Sequence, residues 1–148
     1  MVTRVARLNP VIEFLPPKVE PITQASAIDL SFLLQNFNFD DPNDMEFIAQ
    51  LKQVFQQNAE QSFRSLQLSI KKNDAEHIRK LAHGLKSISA NVGAMELSSR
   101  CHALEQAGQK NKLQNAEALL AAMHFEYYRV IAELNEICIN NSNIKNLN

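Results

Sequence analysis

At 148 residues the chain has room for one domain with a real core and little more. Its apolar fraction of 45% and charged fraction of 21% are those of an ordinary globular protein. A formal net charge of −1 excludes a general electrostatic pull toward nucleic acid or an anionic membrane, and no basic run is interleaved with aromatics to stack single strands. No apolar run approaches the length of a bilayer span, and the apolar patch Val11-Ile12 is broken by Glu13, Pro16 and Pro17, so no signal peptide is expected. Cys101 and Cys138, far apart and without a metal-binding spacing, fit a reducing compartment, and the expected location is cytoplasmic.

Residues 1–25 hold four of the five prolines and show no periodicity, which predicts an extended arm or linker. Ile28 to Phe37 is the first candidate helix, with Ile28, Phe32 and Leu33 on one side. Asp41 followed by Pro42 is a helix start signal. After it Ile48, Leu51, Phe55, Ala59, Ser62, Leu66 and Ile70 recur at three and four residues, predicting a long helix over 43–72. Lys71-Lys72-Asn73-Asp74 closes that helix and caps the next, expected over 74–91 and stopping near Gly93. A fourth helix is expected over 94–109, with Leu97, Cys101, Leu104 and Gly108 inward. The last is expected over 114–140, with Ala116, Leu119, Leu120, Met123, Tyr127, Ile131, Leu134 and Ile137 on one stripe. With three glycines and a single proline after Ser26, a β-rich fold is excluded. The predicted fold is all-α: an up-down antiparallel four-helix bundle over residues 26–140 with a short extra N-terminal helix, followed by a disordered tail over 141–148.

The helix over 74–91 carries the most chemistry. At about 100° per residue, Ile78, Leu81, Leu85, Ile88 and Val92 fall in a sector of roughly 80°, the expected buried stripe. Glu76, Arg79, Lys80, His83, Lys86, Ser87 and Ala90 lie opposite, with His83 near the centre of the outward side. Imidazole is largely neutral near pH 7, and its neutral form is a nucleophile. Lys86, one turn on, can neutralise an anion bonded to the ring, and Ser87 and Ala90 leave room for a partner to approach. On this pattern alone the histidine is a candidate phosphoryl acceptor and equally an ordinary surface residue. Gly84, in mid-helix, costs about 1 kcal/mol against alanine, with close approach as its one apparent use.

The run Ala82-His83-Gly84-Leu85-Lys86-Ser87-Ile88-Ser89-Ala90-Asn91-Val92-Gly93-Ala94 resembles the signature of the histidine phosphotransfer (HPt) family, Ala-His-x-Leu-Lys-Gly/Ser followed by small residues and Gly-Ala. Leu97, Cys101, Leu104 and Glu105 continue the resemblance into the next helix. Ser87 stands where glycine is commoner, and Ile88 is bulkier than the usual small residue. The resemblance implies that His83 Nε2 takes a phosphoryl group from a receiver-domain aspartate and passes it to a second receiver. It implies that Lys86 offsets the phosphate charge and that Glu105, otherwise readable as an exposed helix carboxylate, bonds the other ring nitrogen. Arg79, Lys80, Ser87 and Ala90 become candidate partner contacts. No cofactor is implied, because the divalent metal belongs to the receiver; a monomer is expected.

Other chemistries fare worse. His77, His83, His102 and His124 form no His-x(3)-His pair, and His77 and His83 lie about 120° apart on their helix, so a bundle metal site is disfavoured. The chain has no Gly-x(4)-Gly-Lys-Ser/Thr loop, so no autonomous kinase or ATPase activity is expected. The rival reading is a helical adaptor that binds a receiver or another signalling partner without carrying phosphate. An origin as a module excised from a hybrid sensor kinase is a third.

Overall fold

The computed structural model describes residues 26–147, with side chains described up to position 140; the expected arm over 1–25 lies outside the described residues. Five helices follow one another, α1 (Leu30–Asn36), α2 (Pro42–Lys71), α3 (Ala75–Asn91), α4 (Met95–Gln109) and α5 (Ala116–Leu147), and no strand occurs among the described residues. The long helices pack in a closed ring, α2 on α3, α3 on α4, α4 on α5 and α5 on α2. Short connections make each an antiparallel neighbour of the next, which is the expected bundle. No described helix is long and apolar enough to cross a membrane.

Local chemistry explains the boundaries. The Asp41 carboxylate accepts from Asn43 N at 2.8 Å, and Pro42 fills the first turn of α2 where no amide is needed. Asn73 bends the chain with φ 54°, and Asp74 then caps α3 by accepting from His77 N at 3.1 Å. At the other end of α3, Gly93 takes φ 78° and Ala94 N returns to Ser89 O at 2.9 Å, closing the helix before α4 begins.

The core runs the length of the ring through Phe55, Phe63, Leu66, Ile78, Leu85, Leu97, Leu104, Met123, Tyr127 and Leu134. Three details depart from the periodicity reading. On α2 the inward position is Phe63, with Ser62 half-buried. On α3 the buried residues are Ile78, Ala82, Leu85 and Ser89, while Leu81 and Ile88 are half-buried; the helix is rotated so that its small residues face the core. On α5, Val130 and Glu126 are fully buried as well, while the expected Leu119, Ile131 and Ile137 are half-buried and pack against the core. The Glu126 carboxylate is matched by Arg129 Nη1 at 2.8 Å one turn away, which makes burial of a charge tolerable.

The backbone of α5 continues to Leu147, past the end expected near Asn140, so the segment read as a disordered tail is helical up to that residue. No proline or glycine follows Gly108, and once a helix is nucleated each added residue needs only its own hydrogen bond to continue it. At that end of the bundle α1 is tied down from two sides. Asp29 N donates to Gly93 O at 2.9 Å. The Glu133 carboxylate of α5 accepts from the Ser26 hydroxyl, from Ala27 N at 2.7 Å and from Ile28 N at 3.1 Å. α1 therefore covers the α3–α4 turn and leaves the middle of α3 uncovered.

Candidate functional site

Mid-way along α3, the ring of His83 is largely exposed while the Glu105 side chain of α4, facing it, is 11% exposed. Glu105 Oε2 lies 2.7 Å from His83 Nδ1, and Oε1 lies 2.6 Å from Lys86 Nζ. His102, one turn before Glu105 on α4, places its Nδ1 3.3 Å from the same Oε1. One carboxylate thus gathers three nitrogenous side chains from two helices.

The electrostatics fix the protonation pattern. The Lys86 ammonium first, then His83 and His102, hold the Glu105 carboxyl down at about 2, against the opposing effect of its burial. Near neutral pH Glu105 is therefore ionised and can only accept hydrogen bonds. His83 Nδ1 must then carry the proton it shares with Oε2, and in the neutral ring the lone pair is on Nε2. No described side chain bonds Nε2, so the nucleophilic nitrogen of the exposed ring is unoccupied.

The approach of α3 to α4 that makes these contacts depends on small residues. A Cβ at Gly108 would come within 2.8 Å of Ala75 O and 2.9 Å of Arg79 N. Ala82 and Ser89 face inward with 0% exposure, and the Ser89 hydroxyl is turned back to Leu85 O at 2.7 Å. Ser98 of α4 donates to Lys86 O at 3.1 Å, stitching the two helices beside the site. Ser87 donates to His83 O at 3.2 Å, which folds its hydroxyl down against its own helix.

The structure brings together three of the expected site residues: His83, Lys86 and Glu105 share one network. Lys86 is 27% exposed and engaged with Glu105, where the sequence had placed it on the open face. Glu105 is buried, which corrects the reading of it as an exposed carboxylate; its neutralising partners make that burial affordable. Of the expected partner contacts, Lys80 and Ser87 are exposed and Ala90 is half-buried. Arg79 is clamped by Glu76, with Nε to Oε1 at 3.0 Å and Nη2 to Oε2 at 2.7 Å. Gly84 is exposed, and a Cβ there would meet nothing within 4 Å. Sequence reasoning considered His102 only as a metal ligand; its i,i+3 spacing from Glu105 was the signal that could have placed it here.

Residues 50–138 match the family model of the Hpt domain. No curated protein sequence matches the chain. Among solved structures, the crystal structure of histidine-containing phosphotransfer protein B (HptB) from Pseudomonas aeruginosa PAO1 superposes with a TM-score of 0.69 at 27% sequence identity, covering 79% of this chain and 98% of that one. A matched segment that includes α3, α4 and most of α2 and α5, and with them the exposed histidine, places the chain in the Hpt domain family.

Proposed function

We propose that the chain carries a phosphoryl group on His83 between receiver-domain aspartates. The observation that carries the reading is the Glu105 carboxylate, which bonds His83 Nδ1 on one oxygen and Lys86 on the other and so leaves the Nε2 lone pair available on a ring whose side chain is 58% exposed. The Nε2 lone pair attacks the phosphorus of an aspartyl phosphate, the bond from phosphorus to the carboxylate oxygen breaks, and the aspartate leaves with the electron pair. The ring, still protonated on Nδ1, gains positive charge, which the adjacent Glu105 carboxylate offsets. Lys86 turns from Oε1 to the incoming phosphoryl oxygens and offsets their charge. Attack by a second receiver aspartate runs the same steps in reverse.

Positioning and charge account for most of the acceleration in such transfers. The divalent cation and acidic pocket belong to the receiver in this reading, and no resident cofactor is required of this chain. Lys80, Ser87, Ala90 and the Glu76-clamped Arg79 lie around His83 on α3, and in this reading they line the face on which a receiver sits.

The test is transfer of labelled phosphate from a phosphorylated receiver to the wild-type chain and to His83→Gln. Label that is acid-labile, base-stable and absent from the variant supports the carrier reading. Equal labelling of both proteins moves the acceptor elsewhere. Receivers that bind the wild-type chain without transferring label replace the carrier with a non-phosphorylated adaptor.

A further inference from the structure

The carboxylate of Glu105 has two oxygens and three partners. Oε2 serves His83, while Oε1 serves Lys86 at 2.6 Å and His102 at 3.3 Å. The lysine contact is short and the His102 contact is long, so in the resting protein Lys86 is the main partner of Oε1 and His102 a secondary one. The His102 side chain is 54% exposed and can turn without disturbing the core. If Lys86 moves to a phosphoryl group, a carboxylate whose side chain is 11% exposed loses its shortest partner.

The charges around this point can be followed. With both imidazoles neutral, Glu105 and Lys86 cancel. A phosphoryl group on Nε2 brings about two negative charges, and the ring that holds it gains one positive charge. The cluster is then left with one excess negative charge. One further proton restores neutrality; His102 Nδ1–H already faces the oxygen that Lys86 would leave, so the added proton goes to its Nε2.

From this geometry we infer that His102 is a positioning residue that takes over Glu105 Oε1 when Lys86 turns to the phosphoryl group, taking up a proton as it does so. The inference rests on phosphorylation of His83. The charged and titratable groups around His102 are few. Glu105 comes from its own helix, and His83 and Lys86 come from α3. Arg79, also on α3, acts on Glu105 through space. Cys101 beside it is pushed up to about 12 by burial and stays a neutral thiol. α5, the other helix packed on α4, contributes no side chain to the hydrogen bonds of Glu105 or His102 among the described residues. By reciprocity, uptake of a proton on phosphorylation means that acidification favours the phosphorylated form.

The test treats the full chain with the small donor phosphoramidate, without a receiver, and follows the His102 ring by NMR between pH 5 and 9. The expected result is a His102 titration midpoint at least ~0.5 unit higher in the phosphorylated chain, equivalent to about a threefold gain in proton affinity. Lys86→Met, which vacates Oε1 without phosphate, is expected to raise it in the same direction. Transfer from phosphoramidate releases ammonia and carries a proton balance of its own, so the labelled fraction is compared at each pH with that of His102→Gln, in which the donor's contribution is the same. The wild-type to His102→Gln ratio should rise as pH falls, and the His102→Lys to His102→Gln ratio should stay flat. An unchanged His102 midpoint in a chain shown to carry phosphate on His83 overturns the inference, as does a wild-type to His102→Gln ratio that does not change with pH. A shift seen with phosphoramidate alongside no transfer from any receiver leaves the inference standing and removes the receiver reading.

Discussion

Glu105 couples the stability of the fold to pH as well as orienting His83. Its carboxyl titrates at about 2 in the folded chain and near its ordinary value of 4.5 when unfolded. Between those values the unfolded chain binds more protons, so the contribution of Glu105 to stability is fully present above about pH 4.5 and is lost as pH falls toward 2. The gain at neutral pH is at most about 3 kcal/mol, and partial solvent access lowers it. Glu105→Gln is expected to flatten the dependence of unfolding free energy on pH across that window, measured by urea titration at successive pH values. An unaltered slope would place the acid sensitivity in other carboxylates. Gly84 is a second residue whose cost has no internal return: nothing lies within 4 Å of the Cβ it lacks. Gly84→Ala is therefore expected to stabilise the fold by about 0.5–1 kcal/mol. If the same variant slows phosphate transfer from a receiver, the glycine is kept for the partner's approach; an unchanged rate denies it that role. The outward placement of His83 was legible from helical periodicity. The burial of Glu105 was not, because the pattern Leu97, Cys101, Leu104, Gly108 defines the inner stripe without saying how close the next helix comes.

That closeness belongs to the scale of the helices. Gly108 lets α4 come against the first turns of α3, where a methyl group would sit 2.8 Å from one backbone oxygen and 2.9 Å from a backbone nitrogen. Neither atom can turn aside as a side chain can, so Gly108→Ala must separate or slide the helices. The overpacking cost of about 1–3 kcal/mol exceeds the helix-propensity gain of about 1 kcal/mol. The expected outcome is a lower denaturation midpoint together with slower transfer, since Arg79, against which the methyl would press, is one turn from His83. Loss of stability with an unchanged rate per folded molecule would show that the site tolerates the displacement. The helices themselves were readable because their caps and periods agree: Asp41-Pro42, Asn73-Asp74 and Gly93 each end or begin an element where expected. The rotation of α3 was not readable. Leu81 and Ile88 are larger and more apolar than Ala82 and Ser89, yet the smaller pair faces the core because only small side chains fit beneath a helix held this near.

Across the whole bundle the apolar core draws on all four long helices, but its aromatic stacking and the candidate site lie on different helix pairs. The aromatic packing lies between α2 and α5, where Phe63 stacks on His124 with ring centres 4.0 Å apart and tilts against Tyr127 at 5.3 Å. The polar network lies between α3 and α4 and contains no residue of the other pair. A bundle arranged this way can lose packing energy on one side without moving the His83 ring on the other, provided it still folds. Phe63→Leu is expected to cost about 1–2 kcal/mol in unfolding free energy, from lost ring contacts in a site that is 3% exposed. Phosphate transfer to His83, corrected for the folded fraction, should stay within about twofold of wild type, because sites without shared partners combine additively. The measurement pairs a urea denaturation curve with a transfer rate taken well below the midpoint. A rate that falls in step with the packing loss would mean that α2 and α5 hold the α3–α4 spacing in register, and the chemistry would then be a property of the entire ring.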